Sequence, residues 1–191
     1  LKEDGTSNGT YRNTNAKWQS IRRLFKGCVL LCPAVEVKGP PFIVKTLLAN
    51  VFAPLFPAME IPSSMSSLSN DSLVWIDPKY IDYVHSDQQP GGLSWGGSLR
   101  LQTAVTLLYG ADEVKAGLHK MNYPFIVFHD PEDEICSIKG SELLVTGSAT
   151  EEKDKELRKV PGGRHDLLGN LLEETTAAVL EWVKNRLASS S

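Results

Sequence analysis

Residues 124–136 read PFIVFHDPEDEIC, an apolar run that passes directly into a cluster of acidic residues. Apolar side chains on both faces of a short segment are typical of a strand buried in a parallel sheet. Two further runs have this character. Residues 28–32 read CVLLC between a glycine and a proline, and the weaker residues 157–160 read LRKV before PGG. The chain therefore contains three candidate parallel strands, each followed by a loop.

Helical periodicity fills the spaces between these runs. Apolar residues recur at helical spacing over residues 97–119 and 166–187, and Ser137 is predicted to cap a shorter helix that ends near Leu144. The last helix is predicted to bury Leu168, Leu171, Leu172, Val179, Val183 and Leu187. Strands alternating with helices predict an α/β fold with a parallel sheet, in which functional residues gather at the carboxyl ends of the strands.

The composition narrows the class of protein. Hydrophobic residues make up 41% and charged residues 23% of the 191, as expected for a single globular domain over residues 1–191. A net charge of −3, without a cluster of lysine or arginine, argues against a nucleic-acid partner. Three cysteines are too few for a disulfide framework, so we expect free thiols and a cytoplasmic location. Cysteine and histidine do not recur at metal-ligand spacing, and no metal is predicted.

Residues 36–97 interrupt the alternation of strands and helices. They are rich in proline and serine, and residues 42–56 present a wide apolar helical face. Their charge-free part, residues 46–59, is shorter than the roughly 20 residues of a spanning helix, so we expect a segment that covers substrate or lies at an interface. This predicts a lid inserted in the domain. An ordinary packed subdomain is the alternative.

Two loops carry side chains that could do chemistry. Asp133 lies in the loop after the second strand, and His165 lies in the loop after the third. Taken alone, the acid loop is more typical of a solvated turn and the histidine loop of polar surface. Because the two strands are successive and parallel, however, both side chains are predicted at the same sheet edge. A carboxylate that holds one imidazole nitrogen leaves the other free to act as a general base.

The segments YPFIVFHDPEDEICSIKGSELL, LRKVPGGRHDLLGN and FKGCVLLCPAVEV resemble the acid, histidine and pre-lid segments of monoacylglycerol lipases. That family belongs to the serine aminopeptidase and lysophospholipase group, and the resemblance covers roughly residues 18–187. It implies the α/β-hydrolase fold, here as a partial parallel sheet flanked by helices. It also implies that Asp133 is the catalytic acid and His165 the catalytic histidine. The chain order of acid before histidine agrees with this fold.

The resemblance further implies a nucleophilic serine in a Gly-x-Ser-x-Gly turn. One match exists, GTSNG at residues 5–9, which makes Ser7 the candidate nucleophile and the amide of Asn8 a candidate oxyanion donor. The surroundings of Ser7 are polar where a buried strand and an apolar helix are expected, so residues 1–15 are alternatively unrelated to the turn. A chain that begins with Leu1 predicts a domain truncated at its N-terminus and an unpaired, aggregation-prone strand edge.

These features predict a serine hydrolase that cleaves carboxylic esters of lipid-like substrates, such as a monoacylglycerol or a lysophospholipid, without a cofactor. Lid residues are expected to line an acyl channel and to make peripheral membrane contact; they are Phe42, Leu47, Val51, Phe52, Leu55 and Phe56. Two alternatives remain open at this point. One is a hydrolase of the same fold that acts on soluble esters or peptides, and the other is a catalytically incomplete remnant or binding module.

Overall fold

The structure, a computed structural model, describes residues 24–37, 39–62, 70–93 and 98–188. Within these residues the strands are β1 (Cys28–Leu31), β2 (Phe125–His129) and β3 (Lys155–Lys159). The helices are α1 (Phe42–Leu47), α2 (Ala53–Leu55), α3 (Asp71–Val74), α4 (Pro78–Asp87), α5 (Leu101–Gly117), α6 (Ile138–Gly147), α7 (Leu167–Asn170) and α8 (Leu172–Ala188). One turn of π-helix, Leu48–Phe52, joins α1 to α2, and short 3₁₀ turns lie at Leu118–Lys120 and Glu152–Asp154.

The three strands form one parallel sheet in the order β1-β2-β3. This confirms the predicted α/β architecture, although β3 begins two residues before the predicted run. The register pairs Leu31 with Phe128 and Phe128 with Arg158, so the strands end side by side. The loops that follow them therefore open at one edge of the sheet, as parallel strands require.

Strand β2 is the centre of the core, with all five residues fully buried. Successive side chains point to opposite faces of the sheet. Ile126 and Phe128 pack on one face against Leu167 of α7, together with the partly buried Val179 and Trp182 of α8. The odd-numbered residues pack on the other face, with Phe125 and Val127 against Val35, Leu118 and Leu144. Burial on both faces explains why the strand reads as an uninterrupted apolar run.

Two predictions about the helices have different outcomes. Ser137 caps α6, since its hydroxyl accepts a hydrogen bond from the Lys139 amide at 3.3 Å, as predicted. The predicted buried stripe of the last helix is wrong in part, because Leu168, Leu172 and Leu187 are 44%, 60% and 53% exposed. The helix breaks at Leu171, whose φ and ψ of −137° and 53° are not helical, and this break shifts the helical phase between α7 and α8. The buried positions are Leu167 and Thr175 instead.

The segment after β1 forms the predicted helical run through α1, the π turn and α2. Ala53 is buried against Leu101 and Val105 of α5, which anchors the run to the rest of the molecule. The Lys45 ammonium donates to the Leu108 carbonyl at 3.2 Å and pairs with Asp112. No helix among the described residues has the length and apolar character needed to span a membrane. The extent of the lid, residues 36–97, stays a prediction.

Candidate active site

The loop after β2 holds the Asp133 carboxylate in a fixed orientation. Its Oδ1 accepts hydrogen bonds from the backbone amides of Ile135 and Cys136, at 2.8 and 3.0 Å. Aspartate side chains commonly stabilise tight turns by accepting such bonds from amides two and three residues ahead. The same contacts leave Oδ2 pointing away from the turn. The Asp133 side chain is fully buried, so its orientation depends on protein donors rather than water.

Oδ2 of Asp133 lies 2.9 Å from Nδ1 of His165, which follows β3. This is the pairing that the two loops predicted from the sequence. Since a carboxylate only accepts hydrogen bonds, Nδ1 carries the proton and Nε2 presents its lone pair. The imidazole is 26% exposed and has no other hydrogen-bond partner among the described residues. Asp133 and His165 therefore form a dyad in which Nε2 can accept a proton from a nucleophile.

A second carboxylate of the acid loop sets the path of the histidine loop. Asp130 is buried, and its Oδ2 accepts the backbone N–H of Arg164 at 2.5 Å while Oδ1 accepts the Glu132 amide at 2.9 Å. Arg164 has a φ of 50°, a left-handed conformation that is uncommon for residues other than glycine. The charge-assisted bond stabilises this conformation at the position directly before His165. Asp130 thus fixes the backbone that carries His165.

The segment around Trp75 packs onto the histidine loop from outside. The Arg164 guanidinium donates to the carbonyls of Ser72 and Trp75, the latter at 2.7 Å. The Trp75 indole N–H donates to Asp166 Oδ2 at 2.7 Å, and Asn170 Nδ2 donates to Val74 and Gly163 carbonyls, both at 2.7 Å. Part of the segment predicted as a lid therefore packs against the loop that carries His165 and stabilises it. The sequence held no signal for this contact.

The hydrogen bonds around Asp133 decide its protonation state. Burial alone would raise the pKa of its carboxyl, but hydrogen bonds from His129, His165 and the Cys136 and Ile135 amides outweigh burial. Together they hold the pKa of Asp133 well below its usual range. The acid is consequently a carboxylate throughout the neutral range. It can orient His165 and stabilise the imidazolium that forms when Nε2 takes a proton.

A metal ligand set is conceivable beside the dyad. Potential ligand atoms of Cys32, His129 and Asp133 lie within 4.8 Å of one another. Burial raises the pKa of the Cys32 thiol to about 12, and the thiol donates toward the Arg164 carbonyl at 3.6 Å. His129 and Asp133 already have hydrogen-bond partners in the protein. The side chains of His129 and Asp133 are therefore part of a hydrogen-bond network, and Cys28, Cys32 and Cys136 form no disulfide in the described part of the chain.

The remaining predicted site residues lie elsewhere or outside the described part of the chain. Ser7 and Asn8 fall in residues 1–23, which the structure does not describe. The six lid residues are 39–81% exposed, with Phe42 at 81%. Phe42 also borders a cavity of about 330 Å³ whose wall includes Val37. Val37 forms an isolated antiparallel β-bridge with Cys136 of the acid loop. Their role as an acyl channel stays a prediction.

Sequence reasoning missed two buried residues that build this site. His129 ends β2 and reaches the acid loop, and Asp130 reaches the histidine loop. The apolar run offered a signal for His129, since the last residue of a strand that is buried on both faces is itself buried. For Asp130 the only signal was its place at the carboxyl end of that strand.

Comparison with known proteins finds monoglyceride lipases among the relatives of this chain. Monoglyceride lipase of Mus musculus is 26% identical over 169 residues, and that of Homo sapiens is 28% identical over 171 residues. Each alignment covers 87% of this chain and 52% of the relative, so the chain spans about half the length of these relatives.

Two solved structures share the fold. Paleococcus ferrophilus monoacylglycerol lipase matches with a TM-score of 0.66 and 17% identity, over 91% of this chain and 64% of its own. A soluble variant of Saccharomyces cerevisiae monoglyceride lipase, solved with a substrate analog, matches with a TM-score of 0.63 and 18% identity, over 90% of this chain and 58% of its own.

The family described as serine aminopeptidase, S33, matches residues 5–171. The chain belongs to this serine aminopeptidase S33 family and has the α/β-hydrolase fold.

Proposed function

We propose that this protein is a serine hydrolase that cleaves carboxylic esters of lipid-like substrates, such as a monoacylglycerol or a lysophospholipid. The observation that carries the proposal is the 2.9 Å contact between His165 Nδ1 and the buried, ionised Asp133. Similarity to monoglyceride lipases supports the substrate class, because all the curated relatives described above bear that name. The activity of the whole protein is part of the same proposal.

The proposed reaction uses the free Nε2 of His165 as a general base and then as a general acid. His165 Nε2 removes the proton of a serine hydroxyl as its oxygen attacks the ester carbonyl, and the resulting imidazolium protonates the departing alcohol. Water then attacks the acyl-enzyme by the same route and releases the carboxylic acid. Asp133 stays ionised and holds the imidazole in place throughout. Ser7 in GTSNG is the proposed nucleophile, and the Asn8 amide is a proposed oxyanion donor.

Fluorophosphonate labelling followed by peptide mapping tests this proposal directly. The probe reacts only with a serine that a neighbouring base activates, so we expect one adduct, on Ser7. His165→Ala should reduce labelling by about 10³-fold or more, since removal of any triad member costs several orders of magnitude in rate. His119→Ala is the matched control, because His119 is exposed on a 3₁₀ turn. A folded wild-type chain that takes no label would refute the proposal for these residues and support an incomplete hydrolase.

A second candidate function is cleavage of peptide or soluble ester bonds, which the family description of serine aminopeptidase favours. The same dyad serves both chemistries, and fold alone does not decide between substrates. Hydrolysis of a long-chain monoacylglycerol and of an aminoacyl amide by the same preparation separates them. We expect turnover of the monoacylglycerol, with rate rising from short to long acyl chains. Preferential release of the amino acid would support the aminopeptidase instead.

We further propose that the protein touches lipid surfaces through its α1–α2 run. Phe42, Ile43 and Leu55 are 81%, 80% and 66% exposed, and apolar side chains on an exposed helical face are typical of interfacial helices. Co-sedimentation with phosphatidylcholine vesicles should fall when Leu55→Asp is introduced. Leu107→Asp, on the exposed side of α5, is the matched control. Equal loss in both variants, or no binding by wild type, would contradict this contact.

A further inference from the structure

The buried imidazole of His129 occupies the space between the acid loop and helix α6. Its Nδ1 lies 2.7 Å from the Ser141 hydroxyl. Its Nε2 lies 3.1 Å from the Cys136 carbonyl and 3.4 Å from Asp133 Oδ2. Both His129 and Ser141 are fully buried, so water cannot substitute for any of these contacts. Every hydrogen bond that His129 makes is therefore determined by the protein around it.

The partners of Nε2 determine where the imidazole proton lies. A backbone carbonyl and a carboxylate both only accept hydrogen bonds. Nε2 of His129 must consequently carry a proton, because an unprotonated nitrogen would face two acceptors without compensation. At Nδ1 the Ser141 hydroxyl can rotate to donate, which satisfies the lone pair of the neutral ring. The two acceptors at Nε2 thus fix the tautomer that donates toward Cys136 and Asp133, and the Ser141 hydroxyl accommodates it.

This contact completes the set of donors around Asp133. A carboxylate offers about four lone-pair sites. Two amides, of Ile135 and Cys136, occupy Oδ1. Two imidazoles share Oδ2, with His165 at 2.9 Å and His129 at 3.4 Å. The catalytic acid is held from four directions, and rotation about its Cβ–Cγ bond would break contacts at both oxygens.

We infer that His129 is a positioning residue, whose Nε2 proton is shared between the Cys136 carbonyl and Asp133 and thereby fixes the Asp133 carboxylate against His165. The inference rests on the proposed function, since the orientation of Asp133 matters for hydrolysis only if His165 is the base. It assigns His129 no contact with substrate. Its effect on the reaction passes entirely through Asp133.

Nuclear magnetic resonance of the ¹⁵N-labelled chain at neutral pH tests this role without any substrate. We expect the His129 ring to show a protonated Nε2. An unprotonated Nε2 in the wild-type protein overturns the inference by itself. This measurement needs no variant, so it holds even if substitutions in the buried network prevent folding.

Two replacements of His129 distinguish positioning from packing. His129→Gln retains an N–H donor near the position of Nε2, whereas His129→Leu fills the space with an apolar group. Amide exchange of Ile135 and Cys136 reports how firmly Asp133 Oδ1 is held. We expect exchange to accelerate by about three- to tenfold in the leucine variant, the equivalent of one hydrogen bond, and to change by less than about twofold in the glutamine variant. A purely structural role predicts the opposite order, and that order would overturn the inference.

The fluorophosphonate experiment separates failure of this inference from failure of the proposed function. Labelling of Ser7 together with an unprotonated His129 Nε2 would refute only the positioning role. A protonated Nε2 with the expected exchange pattern, but no labelling, would refute only the hydrolase activity of the chain. Where both hold, labelling should slow in His129→Leu and recover in His129→Gln, while His119→Leu leaves the rate unchanged.

Discussion

Replacing Asp130 with alanine should cost both stability and activity, although this residue does not touch His165. The carboxylate accepts two amide hydrogen bonds, from Glu132 at 2.9 Å and from Arg164 at 2.5 Å. The Glu132 amide lies in an exposed turn and can bind water after the change, so its loss is largely offset. The Arg164 bond is charge-assisted and partly buried, and bonds to charged groups contribute about 1.5–3 kcal/mol. We expect a loss of about 2 kcal/mol in the free energy of unfolding.

The same bond fixes the backbone immediately before the base. Without it Arg164 can leave its left-handed conformation, and a displacement of about 1 Å at a catalytic group costs on the order of 10²-fold in rate. Urea denaturation followed by tryptophan fluorescence measures the stability, and the rate of fluorophosphonate labelling measures the activity. Glu132→Ala is the control, since it removes an exposed carboxylate from the same loop. If the two variants agree within about 0.5 kcal/mol and label at equal rates, the positioning argument for Asp130 is wrong.

Three further predictions follow from the site and its supports. The folded pKa of Asp133 lies below its unfolded value, so the contribution of this carboxylate to stability is present above about pH 4 and should decline as pH falls further. Urea midpoints measured from pH 6 to 2 should therefore fall less steeply in Asp133→Asn than in the wild-type protein. Trp75→Phe removes the 2.7 Å hydrogen bond to Asp166 and should cost about 1 kcal/mol in the free energy of unfolding. Labelling at saturating probe should also slow. Unchanged stability and an unchanged labelling rate would contradict the role of Trp75 in supporting the histidine loop. Gly140→Ala should lower the thermal midpoint of unfolding, because its Cβ would lie 2.6 Å from a backbone nitrogen. In Gly117→Ala the new Cβ meets nothing within 4 Å, so the thermal midpoint should rise. Midpoints that move in the same direction would refute this packing argument.

The sequence predicted the parts of the molecule that depend on local pattern. β2 reads as an apolar run because both of its faces are buried, and its end marks the position of Asp133. The pairing of Asp133 with His165 then follows from parallel topology alone, since both residues come after neighbouring strands. The exposed positions of Leu168 and Leu172 were not predictable, because a single non-helical residue between α7 and α8 changes the phase of the apolar pattern.

The supports of the site depend on contacts between distant segments, which periodicity does not reveal. Trp75 and Asp166 are 91 positions apart, and Asp130 and Arg164 are 34 apart. Nothing near Trp75 in the sequence indicates a partner, and a tryptophan in a polar segment equally suits a substrate surface. The structure shows that it stabilises the histidine loop. Residues 71–76, which belong to the segment predicted to cover substrate, therefore support the loop that carries His165.

The acid loop shows how the fold assigns different roles to chemically similar residues. Four carboxylates lie within residues 130–134, and in the sequence they are equivalent. Burial of a carboxylate is costly unless donors compensate it, so each can be buried only where amides or imidazoles point at both oxygens. Asp130 and Asp133 meet that condition and are buried, while Glu132 and Glu134 are exposed. The three-residue spacing of Asp130 and Asp133 directs one carboxylate to the backbone before His165 and the other to its imidazole. A single turn therefore positions both the loop and the ring of His165. Variants of the two buried acids should consequently impair labelling, and variants of the two glutamates should not.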